Sequence, residues 1–223
     1  MKTLIKSFAT ISSLALLASS AFAEPDREDM KSAMEDTRDA ARVINQMQRI
    51  DPDLAQTLEH AKGVLVIPDY VTAALIAGGS GGEGVLLEND NGEWSNPVFY
   101  DLGEGSIGLQ AGVSAGSMVF ILNSQEAVDT FKDDNNFALN AEAGLSIVNW
   151  SERGHGEAGR ADDVIAWTDT EGLFGEASIG ISDITWDDEE NAAFYGQQVS
   201  AREILSGDVK NPHNNPLRQA IGS

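Results

Sequence analysis

The chain has no cysteine, only three histidines, and 14 Lys and Arg set against 36 Asp and Glu in 223 residues. Without cysteine there is no disulfide framework and no thiolate zinc or redox centre. So few basic residues leave a formal charge of −22 at pH 7, a surface that repels DNA and RNA and excludes a nucleic-acid partner. Beyond the first 23 residues no stretch approaches the ~18 apolar residues of a membrane-spanning helix. A hydrophobic content of 42% is nevertheless enough to bury a core without covalent staples. The acidic excess suits a salty medium that screens self-repulsion.

Residues 1–23 read as a secretion signal. Lys2 and Lys6 precede an apolar run from Ile11 to Ala18, and Ala21-Phe22-Ala23 offers an A-x-A cleavage pattern. There is no twin arginine and no cysteine at the cleavage point, which points to general secretion. Removal of the signal leaves 12 basic against 36 acidic groups, a net charge of −24. The expectation is an exported protein, periplasmic or secreted and peripheral on a membrane. A single domain is expected over 24–212, helical in 24–62 and β-rich in 63–212, with a tail at 213–223. Every glycine lies at or after Gly63, where 6 basic groups face 26 acidic ones.

The spacing predicts a first helix from about Arg27 to Arg49. At 100° per residue, Met30, Ala33, Met34, Ala40, Ala41, Ile44 and Met47 share an apolar arc of about 140°. Arg27, Lys31, Arg38, Arg42 and Arg49 follow one another at steps of 4, 7, 4 and 7, which places all five on a stripe about 60° wide. Asp51-Pro52 opens a second helix, as N-cap and first-turn proline, and Gly63 closes it.

From Val64 the period becomes two. Val64–Ile67 and Val71–Ala77 read as buried-type strands. Gly84–Glu88 and Glu93–Tyr100 flank the turn Asn89-Asp90-Asn91-Gly92 as a hairpin. Ser106–Ala115, Phe137–Ile147 and Leu173–Ile181 alternate without a break, apolar on one face and small or polar on the other. The pattern predicts an α+β fold: an antiparallel sheet, curled or barrel-like, with an N-terminal amphipathic helix and short inserted helices. Asn123 with Glu126 and Ser200 with Glu203 are capping patterns for two of those insertions.

Most of the short motifs carry no chemistry. G-x-G-x-x-G occurs at Gly79–Gly84, Gly103–Gly108 and Gly154–Gly159. The first two lead into strand patterns instead of the helix a dinucleotide needs, and none has a Walker lysine. Gly112-Val113-Ser114-Ala115-Gly116 matches a nucleophile elbow, with His155 and His213 downstream. Ser114, however, sits within an alternating strand, so an esterase is the weakest reading. Asp187–Glu190 and Asp133–Asn136 supply oxygen ligands without EF-hand spacing and read as solvated acidic turns. His60 reads as a helix-surface residue. No catalytic set, cofactor or metal is expected. The basic stripe beside an apolar arc remains, a pattern suited to snorkelling at lipid phosphates as well as to plain core packing.

The chain resembles the SYLF-domain family, known from a lipid-binding, actin-associated yeast protein and its animal and bacterial relatives. The resemblance runs from about Ala33 to Pro212. It rests on Ala61-Lys62-Gly63 with Val66-Ile67-Pro68, on Gly78 through Val85, and on Trp94-Ser95 with Pro97. It continues through Gly105–Gly112, Gly172-Leu173-Phe174-Gly175, and Asn191 through Tyr195-Gly196. It implies binding of membrane phospholipids with an N-terminal amphipathic helix contributing, which matches the stripe of Arg27, Lys31, Arg38, Arg42 and Arg49 read from the spacing; the expected function is lipid binding without catalysis. Actin binding belongs to eukaryotic members, so an exported chain is expected to have no actin partner. Glu171 stands where relatives often carry a basic residue. A small outer-membrane β-barrel or an envelope structural protein is the alternative for alternating strands of this length.

Overall fold

The computed structural model describes residues 27–74, 78–106, 112–133, 136–139, 147–150, 162–169 and 181–222. Helix α1 (Arg27–Ile50) follows the predicted periodicity, and its buried residues include Ala33, Ala40, Ala41, Ile44 and Met47. Helix α2 (Pro52–His60) starts at the expected proline. Asp51 precedes it but does not cap it. Its carboxylate instead accepts a 2.7 Å hydrogen bond from the indole Nε1 of Trp167, tying the helical segment to the sheet.

Among the described residues nine strands form one curled sheet: β1 (Gly63–Ala74), β2 (Gly78–Asp90), β3 (Glu93–Trp94), β4 (Val98–Ser106), β5 (Gly112–Leu122), β6 (Phe137–Leu139), β7 (Ile147–Asn149), β8 (Val164–Thr168) and β9 (Ile181–Trp186). Their order is β6-β9-β4-β2-β1-β5-β8-β7, with β3 beside β2. Pairing is antiparallel except for β7 with β8. The fold is α+β, as the periodicity implies.

Burial departs from the expected two-faced sheet. Val64–Ile67, Val85–Leu87, Met118–Leu122 and Val164–Thr168 are buried at every position, because that end of the sheet is covered on both faces. Helix α1 packs on β1, β2 and β5. Helix α3 (Gln125–Asp133) brings Val128 to 3.0 Å from where a side chain on Gly63 would begin. Tyr100, Phe131, Phe137 and Trp186 pack edge to face and join β4, α3, β6 and β9.

Several boundaries are corrected. Ser106 ends β4 and Gly112 opens β5. These strands run in opposite directions, so 106–115 is not one strand. Phe137 and Ile147 belong to strands at opposite ends of the sheet. The segment Leu173–Ile181 lies outside the described residues except for Ile181, which starts β9. The glycines of 78–84 lie within β2 itself. The Asn91-Gly92 turn is present, with both residues at positive φ, but Ser95–Pro97 interrupt the strand that returns from it. Ser124, not Asn123, caps α3.

Two helices were not anticipated. Helix α4 (Asp188–Tyr195) is capped by Asp187, whose carboxylate accepts from the Glu190 N–H at 2.7 Å. Helix α5 (Ala201–Leu205) carries the expected Ser200–Glu203 capping box. Helix α6 (Pro216–Ile221) lies in the segment expected to be a tail; it packs on α1 and buries Leu217, Ala220 and Ile221.

Candidate functional site

All five stripe residues, Arg27, Lys31, Arg38, Arg42 and Arg49, are exposed on α1. The stripe stands about 150° around the helix from the centre of the buried face, given 100° per residue. The apolar arc is therefore spent on the core, and the basic groups face outward. Lys31 pairs with Glu35 at 3.1 Å and Arg42 pairs with Asp39. Among the described residues Arg27, Arg38 and Arg49 form no ion pair. Arg38 also borders a groove of about 570 Å³ shared with Met34, Phe194 and His213.

The other candidates fall away. Ser114 pairs with Thr72 within antiparallel β5, so it does not occupy the strand-to-helix turn of a nucleophile elbow. His155 lies outside the described residues, and the ring of His213 stacks edge to face on Phe194 at 4.9 Å. His60 is exposed on α2, with its Nδ1 3.0 Å from the Gln56 carbonyl oxygen. Asp187–Glu190, expected as a solvated turn, is a helix start with Glu190 buried. Among the described residues no group of three or more His, Asp or Glu is arranged to hold a metal ion.

An acidic cluster that sequence reasoning missed lies where α1, β2, β4 and α4 meet. Glu83 and Asp101 stand directly opposite each other in the β2–β4 ladder, a like-charge pair that costs stability when nothing neutralises it. Asp36 of α1 and Glu190 of α4 meet beside them. Glu190 is 4% exposed, and neither Oε1 of Glu190 nor Oδ2 of Asp36 has a hydrogen-bond partner. Burial raises the Glu190 carboxyl, and the charge of Asp36 raises it further. Asp36 is raised by burial and then by Glu83. Asp101 is raised by burial, then by Asp187 and Glu83. Each of these carboxyls holds its proton above the usual range because charge is poorly solvated there and acids adjoin it. The signal was spread over four segments distant in sequence, so no spacing could have revealed it.

The residues that carried the family resemblance build the scaffold. Asn191 is fully buried, accepts from the Phe99 N–H at 3.2 Å and donates to the Phe99 carbonyl at 2.7 Å, replacing a ladder partner with a side chain. Tyr195 donates to the Pro97 carbonyl at 2.6 Å. Ser95 Oγ accepts from the Glu88 N–H at 2.9 Å. Gly82 sits so close to the backbone that a Cβ would lie 2.6 Å from the Asp69 carbonyl oxygen.

A curled antiparallel sheet with a helix laid across it, stripe outward, defines an α+β domain whose distinctive surface is that helix. The chain belongs to the Ysc84 family, described as Las17-binding protein actin regulator, whose model matches residues 103–223. It is 30% identical over 193 residues to Protein YSC84 of Saccharomyces cerevisiae, covering 82% of this chain and 41% of that protein. To LAS seventeen-binding protein 3 of the same yeast it is 29% identical over 196 residues, covering 82% and 42%. To SH3 domain-containing YSC84-like protein 1 of Mus musculus it is 26% identical over 187 residues, covering 79% and 55%. The chain thus spans about two fifths to half the length of these relatives. No solved structure matches. The expected family is borne out, whereas the expectation of no actin partner has no support in relatives with these names.

Proposed function

We propose that the chain is an exported, non-catalytic protein that binds anionic phospholipid surfaces through the basic stripe of α1. The observation that carries this reading is the placement of Arg27, Lys31, Arg38, Arg42 and Arg49 on one exposed strip, turned away from the buried face. Because the apolar arc is occupied by the core, contact in this state is electrostatic, with the helix lying flat on the surface. The signal-like residues 1–23 support export.

Vesicle flotation tests the proposal. Each Lys or Arg near an anionic surface contributes ~1 kcal/mol, so Arg38→Glu with Arg49→Glu weakens binding at least about tenfold at low salt. Lys210→Glu, an exposed reversal off the stripe, changes it far less. Equal binding by the folded double variant and the parent sinks the proposal.

A further inference from the structure

One flank of the basic stripe opens at Arg38 into the groove of about 570 Å³ bounded by α1, α4 and the segment 212–219. Its polar lining consists of donors: the Arg38 guanidinium, the His213 ring and the side-chain amides of Asn214 and Gln219. The remaining polar side chain, Thr37, spends its hydroxyl on the Ala33 carbonyl at 2.7 Å. Among the described residues none of the four donor side chains forms a hydrogen bond or an ion pair. No acid lines the groove, in a chain with 36 Asp and Glu against 14 Lys and Arg.

The rest of the lining is apolar and stiff. Met34 and the buried Phe194 form two walls, and Pro212 and Pro216 fix φ at two points of the backbone between the donors. The His213 ring rests edge to face on Phe194 at 4.9 Å, which lowers the entropy lost when it binds. The same segment has donors to spare: Asn215 caps α6 through its Oδ1, while its buried Nδ2 has no hydrogen-bond partner. Four donor side chains exceed what the two oxygens of a carboxylate absorb. A phosphate monoester offers three acceptor oxygens and a charge of roughly −1.5 to −2 at pH 7, and a guanidinium engages two such oxygens at once. The apolar walls require that this phosphate carry an apolar body.

We propose that this groove holds the phosphate monoester head of a single lipid molecule, with Arg38, His213, Asn214 and Gln219 donating to its oxygens and Met34 and Phe194 meeting the carbon skeleton next to it. The inference rests on the lipid reading for the source of the phosphate and adds to it. The stripe senses surface charge, which any anionic lipid supplies, whereas the groove selects a head group.

Calorimetric titration with dihexanoyl phosphatidic acid, kept below its micelle-forming concentration, reads the groove without a bilayer, and saturable one-to-one binding is expected. Dihexanoyl phosphatidylcholine has the same chains and a choline-blocked phosphate; glycerol 3-phosphate has the same head and no chains. Each binds at least about tenfold more weakly. Asn214→Asp with Gln219→Glu, both exposed, sets two acids in the groove and weakens the phosphatidic acid affinity at least about tenfold. Gln56→Glu with Gln197→Glu, exposed amides outside the groove, makes the same change in net charge and leaves that affinity unchanged. If either comparison compound matches phosphatidic acid, or the two variant pairs behave alike, the groove does not select a lipid phosphate and the proposal is overturned. Flotation on anionic vesicles separates the two readings. A chain that floats yet gives no titration overturns the groove alone; one that does neither overturns both.

Discussion

Asn191, fully buried, and Asp36, half-buried, show how differently two polar side chains are treated in this molecule. Asn191 is saturated: its amide meets both backbone groups of Phe99 and the Asp187 carbonyl. Asp36 is left with an oxygen that has no partner and acids on two sides. A carboxyl raised by burial and by neighbouring acids is held protonated more tightly in the folded chain than in the unfolded one. Its stabilising effect is fully present below the ordinary carboxylate range and is lost as pH rises through the raised value. Asp36→Asn therefore raises the melting temperature at pH 8. Each kcal/mol recovered is worth roughly 2–4 °C in a chain of this size. The gain shrinks toward zero near pH 4. Calorimetric melts at pH 4, 6 and 8 check this, and a gain that does not vary with pH contradicts it.

At the scale of elements, β1 makes the sharpest demand on sequence where it bulges, its pairing with β5 shifting between Ile67 and Tyr70. A Cβ on Gly82 would sit 2.6 Å from the Asp69 carbonyl oxygen, whereas one on Gly103 would meet nothing within 4 Å. Gly82→Ala is expected to cost about 1–3 kcal/mol through backbone displacement, and Gly103→Ala to leave stability nearly unchanged. Parallel thermal melts of the two variants check this, and equal melting temperatures contradict it. The elements that sequence reading captured are those whose signal is local: the α1 periodicity, the Pro52 helix start, the Asn91-Gly92 turn and the Ser200–Glu203 capping box. Helix α4 was hidden because Asp187–Glu190 reads as an acidic turn when taken alone, and its role as an N-terminus depends on Asn191 and Phe194 reaching β4. Helix α6 was hidden by Asn and Pro residues that in fact form its cap and first turn. The basic stripe was legible because it lies on one helix. The acidic cluster was not, because α1, β2, β4 and α4 each contribute to it.

The whole molecule joins a basic strip to an acidic body: residues from Gly63 onward carry 6 basic and 26 acidic groups. Under the proposed lipid binding, an anionic bilayer would attract the strip and repel the body, and the two terms together would fix one orientation, with α1 toward the lipid. At 0.15 M salt the Debye length is ~8 Å, short enough that the body is screened while groups in contact with the surface are not. The absence of cysteine allows a single introduced thiol to report that orientation. A fluorophore on Asn45→Cys, exposed on the stripe's side of α1, is compared with one on Glu93→Cys, exposed beside Asp90 at the hairpin end. Both proteins are mixed with anionic vesicles containing a quencher lipid. The account predicts strong quenching at position 45 and little at position 93. Equal quenching at both, or stronger quenching at 93, contradicts the claim that α1 is the membrane-facing element.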